Sequence, residues 1–191
     1  MTKDIETIDL NGKLLIAMPG MSDARFANSV VFMCSHSDEG SMGLIVNKPT
    51  DELHLADLLE QMDIPKGNGS RAIRVHFGGP VELSRGFVLH SADYRDEETT
   101  MEVDETFGMT ATQDILEAIA SGTGPDAAIL MLGYAGWEPG QLENEIKQNG
   151  WLVTDATPEI VFGSECSGKW TAALNTLGID PLVLSATAGR A

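Results

Sequence analysis

The stretch 127–152 constrains this chain more than any other. Ala127 to Leu132 is an apolar run too short for a membrane span and without a charge to face water, the pattern of a strand buried on both faces. Gly133 and Gly136 follow, and the glycines predict a turn. Pro139 suits the first turn of a helix, where its missing N–H is no loss. Leu142 and Ile146 then share one helical face, and Glu143 is spaced to pair with Lys147. Gly150 predicts the helix stop, and Trp151-Leu152 opens a second strand.

Around this stretch the pattern alternates hairpins with helices. Residues 13–18 predict a strand ended by Pro19-Gly20, and 22–28 leave room for a single helical turn. Residues 29–36 and 42–47, joined by Ser37-Asp-Glu-Gly40, predict a β-hairpin that Pro49 stops. Thr50 or Asp51 is placed to cap a helix carrying Leu55, Leu58, Leu59 and Met62. Residues 73–77 and 86–90 predict two strands, paired as a second hairpin around Gly78-Gly79-Pro80, and a short strand is expected near 99–103. Thr110 and Gln113 have capping-box spacing ahead of a helix ended by Gly122. Thr157, Pro158 and Glu159 predict a short helix, and 169–177 another, capped by Gly178. The fold class expected is α+β, one domain over 1–191. Its sheet is mixed rather than doubly wound, with 1–11 as an arm and 182–191 as a tail.

Charge narrows the function classes. Lys and Arg number 12 against 29 Asp and Glu, a net charge of −17 that opposes a grip on phosphate backbones or anionic lipid. The one locally basic stretch holds Lys66, Arg71, Arg74 and Arg85, and residues 93–105 form an acidic run read as a solvated loop. The N-terminus lacks the apolar core of a secretory signal, and cytosolic residence with no membrane association is expected. The two cysteines, Cys34 and Cys166, form no disulfide framework.

Four chemistries have candidate residues in the chain. The four histidines, His36, His54, His76 and His90, show no metal-ligand spacing, so neither a metal nor a cofactor is expected. Cys34 and His36 lie two apart on a strand, so a thiol–imidazole pair is conceivable on one face. The turn at 133–136 stands where a nucleophile elbow would, without the serine or cysteine at its tip. The loop Ser164-Glu165-Cys166-Ser167 shows no paired base. Gly133, Gly136 and Gly140 lead into a helix whose N–H groups could hold an anion, but Glu138 stands at its mouth. Tyr134 and Trp137 flank the turn as amphipathic aromatics suited to a recognition surface.

Gly12–Pro19, Phe26–Val31, Gly43–Pro49, Gly78–Val81, Gly86–His90 and 132–143, with Leu132-Gly-Tyr-Ala-Gly-Trp137 and Gly140-Gln-Leu-Glu143, occur in one order. In these segments the chain resembles the AlgH/YqgE family of bacterial proteins over roughly residues 10–180. The resemblance implies a single α/β domain with a mixed, mostly antiparallel, partly barrel-like sheet and helices packed outside. It carries no catalytic residues. One branch of the family is named for transcriptional regulation of alginate synthesis. Direct DNA contact sits poorly with the acidic helices, which carry Asp57, Glu60, Asp114, Glu117, Glu143 and Glu145.

The function expected is therefore a non-catalytic, cytosolic module that binds a small molecule or a protein and has a regulatory role. Its site is expected at Asn47, Gly78, Gly79, Pro80, His90, Tyr134, Gly136, Trp137 and Gln141, at strand ends where clefts form. The alternative is a hydrolase using Cys34–His36 or a carboxylate in the same cleft. A third reading is DNA binding through the basic stretch.

Overall fold

The computed structural model describes residues 8–67, 73–163 and 165–188. In chain order the strands are β1 (Lys13–Ala17), β2 (Val30–Ser37), β3 (Gly40–Ile45), β4 (Pro49–His54), β5 (Arg74–Phe77), β6 (Val81–Ser91), β7 (Thr100–Glu102), β8 (Phe107–Thr110), β9 (Ala128–Trp137) and β10 (Trp151–Asp155). The helices are α1 (Leu55–Gln61), α2 (Gln113–Ser121), α3 (Gln141–Lys147), α4 (Pro158–Val161), α5 (Lys169–Thr176) and α6 (Pro181–Ala188), with single 3₁₀ turns at Ala24–Phe26 and Cys166–Gly168.

The strands form one ten-stranded sheet in the order β10-β1-β2-β3-β9-β6-β8-β7, with β4 and β5 branching from β9. Every pairing is antiparallel except β5 with β9, so the sheet is mixed, curled and mostly antiparallel, as expected. Alternate residues feed different cores, because neighbours on a strand point to opposite faces. Leu14, Ile16, Val30, Phe32, Leu44, Leu89 and Met131 pack with α4 and α5, whereas Leu15, Ala17, Val31, Met33, Ile45 and Ala135 pack with Leu142 of α3. Val75, Val88 and Leu130 pack under α1 and α2. Covering on both faces explains the unbroken apolar runs of β1, β2 and β9.

The hairpin β2–β3, the single turn at 24–26, the αL stop of α2 at Gly122 and the α4 cap all match the sequence reading. Thr157 Oγ1 accepts the Ile160 N–H, with Pro158 at the first helical position.

The structure corrects the reading in six places. β9 continues as strand through Gly133-Tyr134-Ala135-Gly136-Trp137, so there is no turn at 133–136 and no elbow. Pro49 begins β4 rather than ending structure, a position open to proline at the first residue of an edge strand. The first helix starts after His54, not at Thr50 or Asp51, and the His54 N–H donates to Asp57 at 2.8 Å. β5 and β6 do not pair with each other, because β9 lies between them. α2 is entered at Thr112, since Thr110 closes β8, a strand the reading lacked. Residues 181–188 are helical rather than a loose tail. The proposed arm falls largely on residues outside the described ones, but Leu10 is buried.

The acidic run also differs from a plain solvated loop. Asp96 accepts the N–H groups of Glu98 and Thr99, Asp104 those of Thr106 and Phe107, and Asp93 that of Asp126. These carboxylates shape turns around β7 and β8. Among the described residues, no helix is long and apolar enough to cross a membrane.

Candidate functional site

The second half of β9 carries the aromatic pair, and α3 leans over it. β9 leaves its parallel partner β5 after Leu132 and takes β3 as neighbour, with Ala135, Gly136 and Trp137 opposite Gly43, Met42 and Ser41. Gly140 then turns the chain in the left-handed region, at φ +76°, and α3 folds back. Two adjoining depressions result, sharing Val81, Gly136 and Trp137. One, of about 660 Å³, runs from Trp137 to Trp151 and the loop holding Asp23, Arg25 and Phe26. The other, of about 690 Å³, is lined by Tyr134, Met42, Phe87, Arg85, Glu39 and Glu138. Each is of the size small ligands occupy, and together they make one continuous groove.

Glu145 of α3 organises the floor. Its Oε2 accepts both indole N–H groups, from Trp137 at 3.0 Å and Trp151 at 2.8 Å, and its Oε1 accepts from Gln141 Nε2 at 2.9 Å. The indoles meet edge to face at 6.0 Å, and Phe26 stands edge-on to Trp151 at 5.8 Å. At the rim, the Arg25 guanidinium bonded to Asp23 holds that carboxyl below its usual range.

Of the expected site residues, Pro80, Tyr134, Gly136, Trp137 and Gln141 line this groove. Trp137 is only 7% exposed and is as much core as wall. Gln141 also accepts the Glu138 N–H at 3.0 Å, a bond that ties down the loop ahead of α3, while no side chain caps the helix itself.

The other four do not join the groove wall. His90 is fully buried, its Nδ1 against the Ser91 carbonyl and its Nε2 against Thr110 Oγ1, and burial lowers its pKa. Asn47 clamps the chain between the 3₁₀ turn and β2, donating to Asn28 O and accepting from Val30 N. Gly78 and Gly79 are places of close backbone crossing. A Cβ on Gly79 would lie 2.0 Å from the Tyr134 carbonyl carbon, and one on Gly78 2.3 Å from Gly133 O.

The thiol–imidazole pair of the alternative reading, Cys34 with His36, is absent. The register shifts between Met33 and Ser35, which breaks the alternation that would have aligned them. Cys34 sinks into the core, where burial pushes its thiol up to about 12, away from nucleophilic use. His36 instead faces Ser41 Oγ at 2.6 Å and Glu143 Oε1 at 3.1 Å.

A different cysteine meets a histidine. Cys166 Sγ lies 3.4 Å from Nε2 of His76, 90 positions away in sequence. His76 is buried on β5, and burial, with the nearby Lys169 charge, lowers its pKa. Lys169 is 3% exposed, and its ammonium donates to Val46 O at 2.9 Å and Val161 O at 2.7 Å. A third depression, of about 320 Å³, is lined by Asn28, Asn47, Lys48, Cys166, Ser167 and Trp170. It shares no lining residue with the groove. The only sequence signal was the cysteine itself, since no local spacing links it to His76. Among the described residues, no group of three or more His, Cys, Asp and Glu is arranged to hold a metal ion.

Comparison with known proteins places this geometry. The DUF179 family profile, described as AlgH-like, matches residues 14–182. A UPF0301 protein of Ruegeria pomeroyi is 60% identical over 185 residues, covering 96% of this chain and all of the relative. One from Cereibacter sphaeroides is 56% identical over 184 residues, with 96% of this chain and all of that one aligned. The solution structure of the AlgH protein from Pseudomonas aeruginosa, 41% identical, superposes with a TM-score of 0.78 over 99% of this chain and all of that one. A crystal structure of a Corynebacterium diphtheriae protein, 23% identical, shares the fold with a TM-score of 0.72 over 92% of this chain and 89% of its own. The chain belongs to the AlgH-like, UPF0301 family.

Proposed function

We propose that this protein is a non-catalytic cytosolic binding module with a regulatory role, and that its ligand is a cationic, partly apolar small molecule or peptide segment seated over Trp137. The observation that carries this reading is the groove along β9. It combines aromatic and aliphatic walls with Asp23, Glu39, Glu138 and Glu145 against Arg25 and Arg85. Arg25 is paired with Asp23, and Arg85 with Glu82, which leaves acceptors in excess. A donor-bearing ligand with an apolar face matches such a wall in both charge and surface. Nucleic acid matches it poorly, and a net charge of −17 adds long-range repulsion.

Tryptamine and agmatine serve as probes. The indole N–H resonances of Trp137 and Trp151 are followed as each is added to the full chain. Saturable shifts in both indoles, weakened in the Glu39→Gln, Glu138→Gln double variant, support the reading. Indole signals that stay in place, or that move equally in the variant, overturn it. Mononucleotides added in the same way are expected to leave both signals unmoved.

A further inference from the structure

His76 has the arrangement of a base ready to serve a thiol. Its Nδ1 lies 3.3 Å from the carbonyl oxygen of Leu130, which can only accept. The ring proton therefore belongs on Nδ1, and Nε2 is left with its lone pair toward the Cys166 sulfur. A backbone carbonyl here orients the imidazole, the part an acidic or amide side chain plays in nucleophile–histidine pairs. Neighbouring residues on β5 point oppositely, so Val75 and Phe77 pack into other cores while His76 reaches this side of the sheet.

Lys169 adds a charge without a countercharge. Its ammonium is buried and bonded to two carbonyls, and among the described residues no carboxylate forms an ion pair with it. A buried cation held only by neutral oxygens is costly, and an anion beside it relieves that cost. Cys166 is the group whose negative form acts on Lys169, favouring its charged state against the desolvation that lowers its pKa. Cys166 lines the third depression, whereas neither His76 nor Lys169 does.

We propose that Cys166, His76 and Lys169 form a second site, a nucleophilic thiol centre that reacts with a small hydroperoxide entering through the depression beside Asn28, Lys48 and Ser167. His76 Nε2 takes the thiol proton. The sulfur then attacks one peroxide oxygen, an S–O bond forms and the O–O bond breaks. The departing oxygen takes the proton back from Nε2 and leaves as water or an alcohol. Cys166 is oxidised to a sulfenic acid and the peroxide is reduced, so atoms and electrons balance. Cys34, sealed in the core, takes no part.

Hydrogen peroxide is the test reagent, added to the full chain with dimedone to trap sulfenic acid. Peptide mass spectrometry then reads the two cysteines separately. Cys166 is expected to be trapped about tenfold faster in the folded chain than in the same chain unfolded in urea, as activated thiols outpace ordinary ones. Cys34 is expected to stay unmodified in the folded chain. A folded-state rate for Cys166 at or below the urea rate overturns the proposal, and this comparison needs no variant. His76→Gln and Lys169→Met, each checked by circular dichroism, are each expected to slow trapping by about tenfold. An unchanged rate in folded variants of both overturns the cooperative site.

Discussion

Trp137 and Trp151 donate their indole N–H groups to a single carboxylate oxygen of Glu145, at 3.0 and 2.8 Å. Both indoles are buried, so neither N–H has water as an easy substitute. Glu145→Ala is expected to cost about 2–3 kcal/mol, because it leaves two buried donors unsatisfied. Urea unfolding followed by tryptophan fluorescence measures it. An unchanged midpoint would mean that water replaces the carboxylate at no cost, and that the groove floor is wetter than the side-chain packing indicates.

The crossing of Gly78 and Gly79 over Gly133 and Tyr134 leaves no space for a methyl group. Gly79→Ala is expected to destabilise the chain by about 3 kcal/mol or more, at the upper end for overpacking, since the obstacle is backbone that cannot rotate away. Gly168→Ala is the control, as nothing lies within 4 Å of a Cβ there. Thermal unfolding of the two variants should separate them by many degrees.

Asn47 separates a structural role from a binding one. Its amide holds Asn28 and Val30 with bonds of 2.8 and 2.9 Å. Asn47→Ala is expected to lower stability by about 1–2 kcal/mol while leaving probe shifts at Trp137 and Trp151 intact. Loss of those shifts in a folded Asn47→Ala chain would assign it to the groove after all.

Burial lowers the pKa of both His76 and His90. The unfolded chain therefore binds protons that the folded chain refuses, once pH falls below about 6.5, the usual histidine value. Stability supplied by the neutral rings is complete above that pH and is lost as pH falls through the lowered folded values. Denaturant midpoints between pH 7 and 5 should decline, and less steeply in a His90→Gln chain. Equal slopes in the two chains would show that His90 takes no part.

Cys34 gives the opposite sign. With its thiol raised from 9.0 to about 12, the folded chain keeps a proton that the unfolded chain releases. Stability from the buried thiol is present below pH 9 and is lost progressively toward pH 12. A Cys34→Ala chain, though less stable at neutral pH, should show a shallower alkaline decline.

Local chemistry made much of this fold legible in the sequence. Ser37–Gly40 marked the β2–β3 hairpin, Gly122 the end of α2, and Thr157-Pro158 the start of α4, because each signal acts within a few residues of its effect. What escaped was non-local. Gly133 looked like a turn because the segment that needs its bare backbone, Gly78-Gly79 between β5 and β6, is far away in sequence. The strands β5 and β6 looked like a hairpin because β9, which separates them, had not yet been reached along the chain. Within the candidate site, Pro80, Tyr134, Gly136, Trp137 and Gln141 were readable as a cluster of strand-end groups. Glu145 was not, since a lone acid on a helix gives no sign that two indoles converge on it.

β9 has a different consequence for a chain emerging from a ribosome. β3, β5 and β6 are all synthesised before it, and all three dock on it. Until Trp137 is made, these earlier strands have no common seam, and their hydrogen-bonding edges stand open to solvent and to other nascent chains. The risk of misassembly is thus concentrated before β9 emerges and ends when that single ten-residue segment slides into place.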